Sequence, residues 1–539
     1  MSSDDRSDVR SLDQPGRWWP MWREEGAFTK NPDVVPLPDG QLLCVVNVCD
    51  AHWPRDFTRI TLFESDDRGR TWGNARIVHA AYPGRGEERW VTPRLSRLRD
   101  GRLVIVCDQN DYRHCHEDQP PGIYLWFSGD SGATWDGPHA TGIIGIEPDH
   151  VVELPDGTLL CGTHYMRAQT QKLTEAVARS TDGGKTWGDL TTIGGDRVHN
   201  YCEGAIVPLA SGRLVCIMRE NNHMNYPSYL SFSEDGGRTW SRPVEAPFSG
   251  DRPFAGQLPD GRTLVTFRNQ SGRPGLHAWL GDIEREQGYK VARGGIGPAH
   301  GVATAEAQRP GGLPPSAGAR LDRDALVLEN GPDAITRYLL LPPESHTSEV
   351  AFAADVAVSG ENGVPAATLY IMRLGLRLTI MPDGLSLGNN TWRALDMRRR
   401  RTVAVTHRGG LAEVRVDGEL ALANLIYREA PWERGYFGNG PEHRGASRWY
   451  AVSYRTDNPT EAAHVWRWDA ASGTYPNQYA IERTLELDHN ATSPRPDHGY
   501  SSWIRFDDGE IFVADYTNED APQGKSSLRG YTLRAEDFG

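Results

Sequence analysis

The pattern Ser-x-Asp-x-Gly-x-Thr-Trp occurs four times in the first half of the chain, at Ser65 to Trp72, Ser128 to Trp135, Ser180 to Trp187 and Ser233 to Trp240. A unit repeated at this length constrains the fold more than composition can. In each copy Asp67, Asp130, Asp182 or Asp235 is able to accept bonds from backbone amides of its own turn, and the glycine two residues later tolerates a positive φ. The closing Trp supplies a large apolar ring. Each copy is expected to be a turn anchored by a buried indole, whose replacement by Ala would cost about 3 to 5 kcal/mol.

A second landmark keeps step with the first. A turn of the form Leu-x-Asp-Gly, or a close variant, followed by apolar alternation, recurs at Asp39-Gly40, Asp100-Gly101, Asp156-Gly157, Ser211-Gly212, Asp260-Gly261 and Asp508-Gly509. The first five are about 50 to 60 residues apart, the length of a four-stranded propeller blade with its loops. Six such turns predict an all-β chain whose main body is a six-bladed propeller. The boxes and their spacing resemble the sialidase (neuraminidase) superfamily of Asp-box propellers, which implies the fold. Function still has to be argued from the site.

The formal net charge of −14 argues against nucleic acid as a partner, because phosphate binding wants a basic field. No stretch approaches the roughly 20 apolar residues of a membrane span, and Met1-Ser2-Ser3-Asp4-Asp5 lacks the pattern of an export signal, so no membrane and a cytoplasmic location are expected. The seven cysteines are without metal-type clustering and are expected to be buried free thiols. Nothing calls for a metal or cofactor.

Along the chain, blades one to five are expected over 25–292, a Gly-, Pro- and Ala-rich linker over 293–319, and an inserted β-sandwich over 320–456. Blade six and closure of the ring are expected over 457–539. The insert alternates strongly, as in Leu411-Ala412-Glu413-Val414-Arg415-Val416-Asp417-Gly418, and resembles a laminin-G or concanavalin-like sandwich ending a strand in a Val-Asp-Gly turn. In sialidase relatives such an insert binds carbohydrate or braces the propeller, and bracing is the expectation here.

Counting seven residues past each turn glycine gives Asn47, Asp108, His164, Arg219, Arg268 and Tyr516, all polar or amphipathic at the end of an apolar run. Strands often end in polar residues at a surface, but equivalent positions of successive blades converge on the central channel. Just before the inner strands the ring adds Lys30, Asp33, Arg94, Asp149, His150, Glu203, Arg252, His498 and Tyr500. A channel so lined, in an acidic chain, reads as a site for an acidic carbohydrate.

The resemblance also reaches the chemistry. Sialidases share a tyrosine nucleophile, a glutamate that activates it, three arginines on the substrate carboxylate and an aspartate acid/base. Tyr500 in Gly499-Tyr500-Ser501-Ser502 matches the nucleophile, Glu203 the activating carboxylate and Arg219 one arginine. A neutral phenol suits an anomeric carbon beside a carboxylate, which repels an anionic nucleophile, and a phenol with a reference pKa of about 10 needs a base. Lys30-Asn31-Pro32 stands where the family has Arg-Ile-Pro, and lysine cannot clamp a carboxylate through a bidentate fork. The third arginine is Arg268 or Arg273. Arg59 falls where the acid/base aspartate is expected, leaving Asp50, Asp56 or His52 to supply the proton.

Three functions follow. The first is a retaining exo-glycosidase removing a terminal acidic sugar, sialic acid or a related nonulosonic or uronic acid. The second is a polysaccharide lyase in which Tyr500 or a histidine among His150, His164 and His199 abstracts the proton beside the carboxylate. The third is a non-catalytic glycan-binding propeller.

Overall fold

The computed structural model describes residues 7–109, 116–118, 120–188, 190–222, 226–294, 318–371, 373–388, 391–426 and 435–538. Most of the expected linker, and Cys115, lie outside the described residues. The fold is all-β: a six-bladed propeller with a two-sheet β-sandwich inserted in it. Blades one to four are each a four-stranded antiparallel meander, beginning with inner strands Phe28–Pro36, Trp90–Arg97, Val152–Glu153 and Tyr201–Pro208.

All six Leu-x-Asp-Gly-type turns join an inner strand to the second strand of its blade. Gly40, Gly101, Gly157, Gly212, Gly261 and Gly509 all have φ between 84° and 90°, a conformation open to glycine and strained for other residues. The four boxes form near-identical turns. In the first, the Ser65 hydroxyl donates to Asp67 Oδ1 at 2.9 Å and accepts the Gly69 amide at 2.9 Å. The Thr71 amide and hydroxyl donate to the two oxygens of Asp67 at 2.8 and 2.7 Å. The Trp72 indole folds back to donate to the Gly69 carbonyl at 2.9 Å. Trp135, Trp187 and Trp240 repeat this bond at 3.1, 3.2 and 3.3 Å. All four rings are half-buried rather than buried, because an indole committed to its own turn at the blade edge keeps one face in water.

Blades five and six close differently from the sequence expectation. Blade five has strands Asp251–Gln257, Thr263–Asn269 and Gly275–Gly281, and its outer strand is Thr484–Glu486, with Arg10–Ser11 added in parallel beyond it. The sandwich is thus inserted within blade five, and the chain completes that blade before starting the sixth. Blade six has Ser502–Arg505, Ile511–Thr517 and Ser527–Leu533, and takes its outer strand, Trp18–Trp22, from the N-terminal region. The sandwich sheets extend past the expected end at 456, since His464–Asp469 pairs with Ala446–Asp457. The Val416-Asp417-Gly418 turn joins Leu411–Val416 to Glu419–Leu425, with φ of 51° at Asp417 and 86° at Gly418 as a tight hairpin requires.

The sandwich core is mostly apolar, built on residues such as Leu378, Val405, Phe437 and Trp449, all fully buried. Tyr226 Oη to the Pro343 carbonyl (3.5 Å), Arg242 to the Thr460 carbonyl (2.9 Å) and Tyr289 Oη to the Leu339 carbonyl (2.8 Å) tie it to the propeller. The six described cysteines are buried free thiols. Among the described residues no helix is long and apolar enough to cross a membrane.

Candidate functional site

The seven-residue count identifies a ring of inter-blade ties. Asn47, Asp108, His164, Arg219 and Arg268 pair across their blades with Lys30, Val91, Ile146, Cys202 and Asp251. Just after these partners the inner strand bulges. Asn31, Thr92, Glu147, Glu203 and Arg252 have φ between 45° and 55°, and Gly499 takes the corresponding place in blade six with φ 86°. Four of the five non-glycine residues precede proline, which disfavours helical backbone at that position, so each bulge stores strain of order 1 to 3 kcal/mol. Strain repeated around one channel mouth requires neighbouring blades to hold it. They do: Asn47 Nδ2 donates to the Trp90 carbonyl (3.1 Å), and the Glu203 amide donates to His164 Nδ1 (3.2 Å). Arg219 pairs with Asp251 (3.0 Å), while in blade six the bulge is held from within, both oxygens of Asp515 accepting the Gly499 amide.

The bulges turn side chains from blades three to six onto one another. Tyr500 Oη donates to Glu203 Oε1 at 2.9 Å, and Arg219 Nη1 approaches the same oxygen at 2.8 Å. Arg252 reaches across to the Glu147 and Pro148 carbonyls at 3.1 and 2.9 Å, with its guanidinium 5.6 Å from the Tyr500 ring centre. The Glu147 and Glu203 carboxyls face one another in the same buried site, so ionising both is unfavourable. Burial, then the Glu203 charge, raise Glu147 well above the usual carboxylate range. Burial acts on Glu203 in the same direction, but Arg219 and Arg252 outweigh it and hold that carboxyl low. Burial, with Glu147 and Glu203, pushes the Tyr500 phenol well up, so it is neutral. The result is a neutral phenol donating to a carboxylate in a water-poor site.

The other expected site residues separate into groups. Arg268 faces Tyr500, contacting the Pro496 carbonyl at 3.5 Å and Asp497 at 3.7 Å. Lys30 is buried on the inner strand of blade one and donates to the His52 carbonyl at 2.6 Å. Arg94 is buried two residues past its bulge, 4.0 Å from Asp33. His150 bonds Asp149 at 2.9 Å, and His498 is fully buried with its pKa lowered to about 3 by burial. Burial lowers His164 to about 4, so it is a neutral acceptor for the Glu203 amide.

Arg273 points elsewhere, pairing with Glu486 at 3.1 Å and His489 at 2.8 Å beside the outer strand of blade five. Asp50 is a loop organiser, its Oδ1 accepting the amides of Arg55, Asp56 and Phe57 at 2.9, 3.1 and 3.3 Å. Asp56 is exposed, and Arg59 pairs with Glu24. His199 lies at the sandwich contact, buried between Asp196 (2.8 Å) and Glu461 (2.9 Å), away from Tyr500. The sequence reading missed Glu147. The Ile146-Glu147-Pro148-Asp149 register, matching Lys30-Asn31-Pro32-Asp33 in blade one, is the signal that would have found it.

Fold and site together define a propeller with a tyrosine-carboxylate pair at its channel mouth. Residues 83–287 match the family described as a BNR repeat-like domain. Similar solved structures include a protein of unknown function from Dyadobacter fermentans DSM 18053, at 16% identity over 61% of this chain and 94% of that one, with a TM-score of 0.44. The Hadza microbial sialidase Hz136 shares 18% identity over 48% of this chain and 57% of its own, with a TM-score of 0.38. Trypanosoma rangeli sialidase in complex with the inhibitor DANA shares 14% identity over 87% and 97%, with a TM-score of 0.36. No curated protein matches the chain.

Proposed function

We propose that the chain is a sialidase-like, retaining exo-glycosidase that removes a terminal acidic sugar through a glycosyl intermediate on Tyr500. The observation that carries the reading is the 2.9 Å bond from the Tyr500 hydroxyl to Glu203, which is the reach a general base needs. In the first half-reaction the phenol oxygen attacks the anomeric carbon and its proton passes to Glu203. Arg219 and Arg268, both facing Tyr500, are the groups to receive a substrate carboxylate. A carboxylate bound there offsets the charge that keeps Glu203 low, so substrate binding itself makes Glu203 the stronger base. A lyase using a channel histidine has less support, since His164 and His150 are engaged as described and His199 sits at the sandwich.

The test is to offer aryl glycosides of sialic, other nonulosonic and uronic acids, and then to treat the chain with the fluorinated analogue of whichever sugar is released. Glycosylation of Tyr500 seen by peptide mass spectrometry is the expected result. An unsaturated, ultraviolet-absorbing product without labelling would support the lyase. Binding without turnover would support a glycan-binding propeller.

A further inference from the structure

Cleavage with a tyrosine nucleophile needs a second group, because the departing oxygen has to be protonated as the phenol attacks. Glu203 cannot serve, being the acceptor of the phenol proton, and Glu147 stands beside that same carboxyl and the Tyr500 hydroxyl. Asp50 is held anionic by its three backbone amides, which outweigh its partial burial. The loop that carries Asp50, however, also carries His52.

His52 Nδ1 lies 2.7 Å from Asp497 Oδ2, with the imidazole 38% exposed. Asp497 stands three residues before Tyr500, accepts the Tyr516 hydroxyl at 2.6 Å and lies 3.7 Å from Arg268. The Tyr516 ring is 6.1 Å from that of Tyr500, so the His52–Asp497 pair is one side chain removed from the nucleophile. Phe28 packs against the imidazole at 5.5 Å, and Lys30 fixes the His52 carbonyl. The close approach of Nδ1 to a carboxylate favours the tautomer protonated there and leaves Nε2 to exchange protons. Among the described residues no hydrogen bond engages Nε2. His52 comes from blade one and Glu203 from blade four, opposite positions in a six-bladed ring. Donor and acceptor are thus carried by separate blades. His150, another partly exposed imidazole, lies three residues beyond the Glu147 bulge, against Asp149 and Phe254.

We propose that His52, oriented by Asp497, is the acid that protonates the leaving group and the base that later activates water. The inference rests on the Tyr500 reading above. In the first step the Tyr500 oxygen bonds the anomeric carbon, the bond to the leaving oxygen breaks, and the Nε2 proton of the imidazolium moves to that oxygen. In the second, neutral His52 takes a proton from water, whose oxygen bonds the anomeric carbon as the tyrosyl bond breaks. Glu203 then returns its proton to Tyr500. The groups facing His52 are Asp497, Lys30 and Arg268; burial and then Lys30 lower its pKa below the ordinary value against the pull of Asp497. The donor form is therefore populated only at lower pH than for an ordinary imidazole.

The test compares two glycosides of one acidic sugar, an activated aryl glycoside whose phenolate leaves unaided and an alkyl glycoside whose alkoxide does not. His52→Asn is expected to keep kcat/KM on the aryl glycoside within a few-fold of wild type and to lose about 10²- to 10⁴-fold on the alkyl glycoside. Asp497→Asn, which leaves the imidazole in place, should show the same split at smaller size. Equal losses on both substrates in both variants, with Tyr500→Phe still inactive, would overturn the role of His52 and leave the Tyr500 reading standing. Tyr500→Phe as active as wild type would overturn that reading and this one with it.

Discussion

The inserted sandwich and the mouth of the propeller channel are both buried, and they are buried in opposite ways. Around Phe437 the sandwich packs Tyr338, Trp449 and Trp466 with ring centres 5.1 to 6.0 Å apart. Its ionisable groups are mostly at the surface. The channel mouth buries Glu203, Arg219, Arg252 and Tyr500 within a few ångströms of one another, each at most 8% exposed. An apolar core follows directly from the hydrophobic effect. A buried carboxylate–arginine network does not, since desolvation cancels much of its Coulomb gain and apolar residues would stabilise the blades as well or better. Strained bulges at the same positions make the contrast sharper, because both features cost stability and both converge on one phenol.

The largest expected separation between the two regions is therefore functional. Tyr500→Phe removes one hydroxyl from the channel and keeps the ring. If the network exists for chemistry, hydrolysis falls by about 10³-fold or more while the unfolding midpoint stays within a few degrees of wild type. Phe437→Ala is its mirror image, with a loss of about 3 to 5 kcal/mol in stability and an unchanged kcat in whatever remains folded. Chemical denaturation and initial rates on the same preparations measure both. A Tyr500→Phe protein that loses stability and keeps activity would collapse the distinction.

The sequence showed the repeated parts of this architecture and obscured the parts formed between distant segments. The six turns and four boxes were legible because each is a local device, closed by bonds within about five residues. Tyr500 and Glu203 were legible through resemblance and through their places at the start of inner strands. The N-terminal outer strand of blade six and the late outer strand of blade five were not, since Trp18–Trp22 and Thr484–Glu486 acquire their partners only when the ring closes. Glu147 was missed for a related reason. Its significance depends on Glu203, 56 residues away in the next blade, and on a backbone bulge that sequence does not display.

Glu147 also gives the comparison a pH dependence. Its pKa is raised in the folded state, by burial first and by Glu203 next, so the stability it contributes is fully present below its unfolded value of about 4.3 and is lost as pH rises through the folded one. Gln has no proton to lose. Glu147→Gln should gain stability relative to wild type as pH rises from about 5 through neutrality, by at most about 1.4 kcal/mol per pH unit. A matched substitution in the sandwich, Glu413→Gln, alters a surface residue paired loosely with Arg415 at 3.5 Å and should show no such slope. Parallel curves for the two variants, from denaturation at several pH values, would mean that Glu147 is not held protonated by burial and by Glu203.

The smallest effect is expected at the boxes, which belong to neither extreme. Trp187 is half-buried, touches the blade edge and bonds the carbonyl of its own Gly184 at 3.2 Å. Trp187→Ala exposes part of an apolar face and removes one weak hydrogen bond, but it creates no enclosed cavity, so the cost should be about 1 to 2 kcal/mol rather than the 3 to 5 of a fully buried ring. Activity on any substrate should be unchanged, because the turn lies at the outer part of its blade and the channel ties run through the inner strands. A loss near that of Phe437→Ala would mean that the half-buried indoles act as core residues. The boxes would then have to be counted with the sandwich interior, as part of what holds the fold.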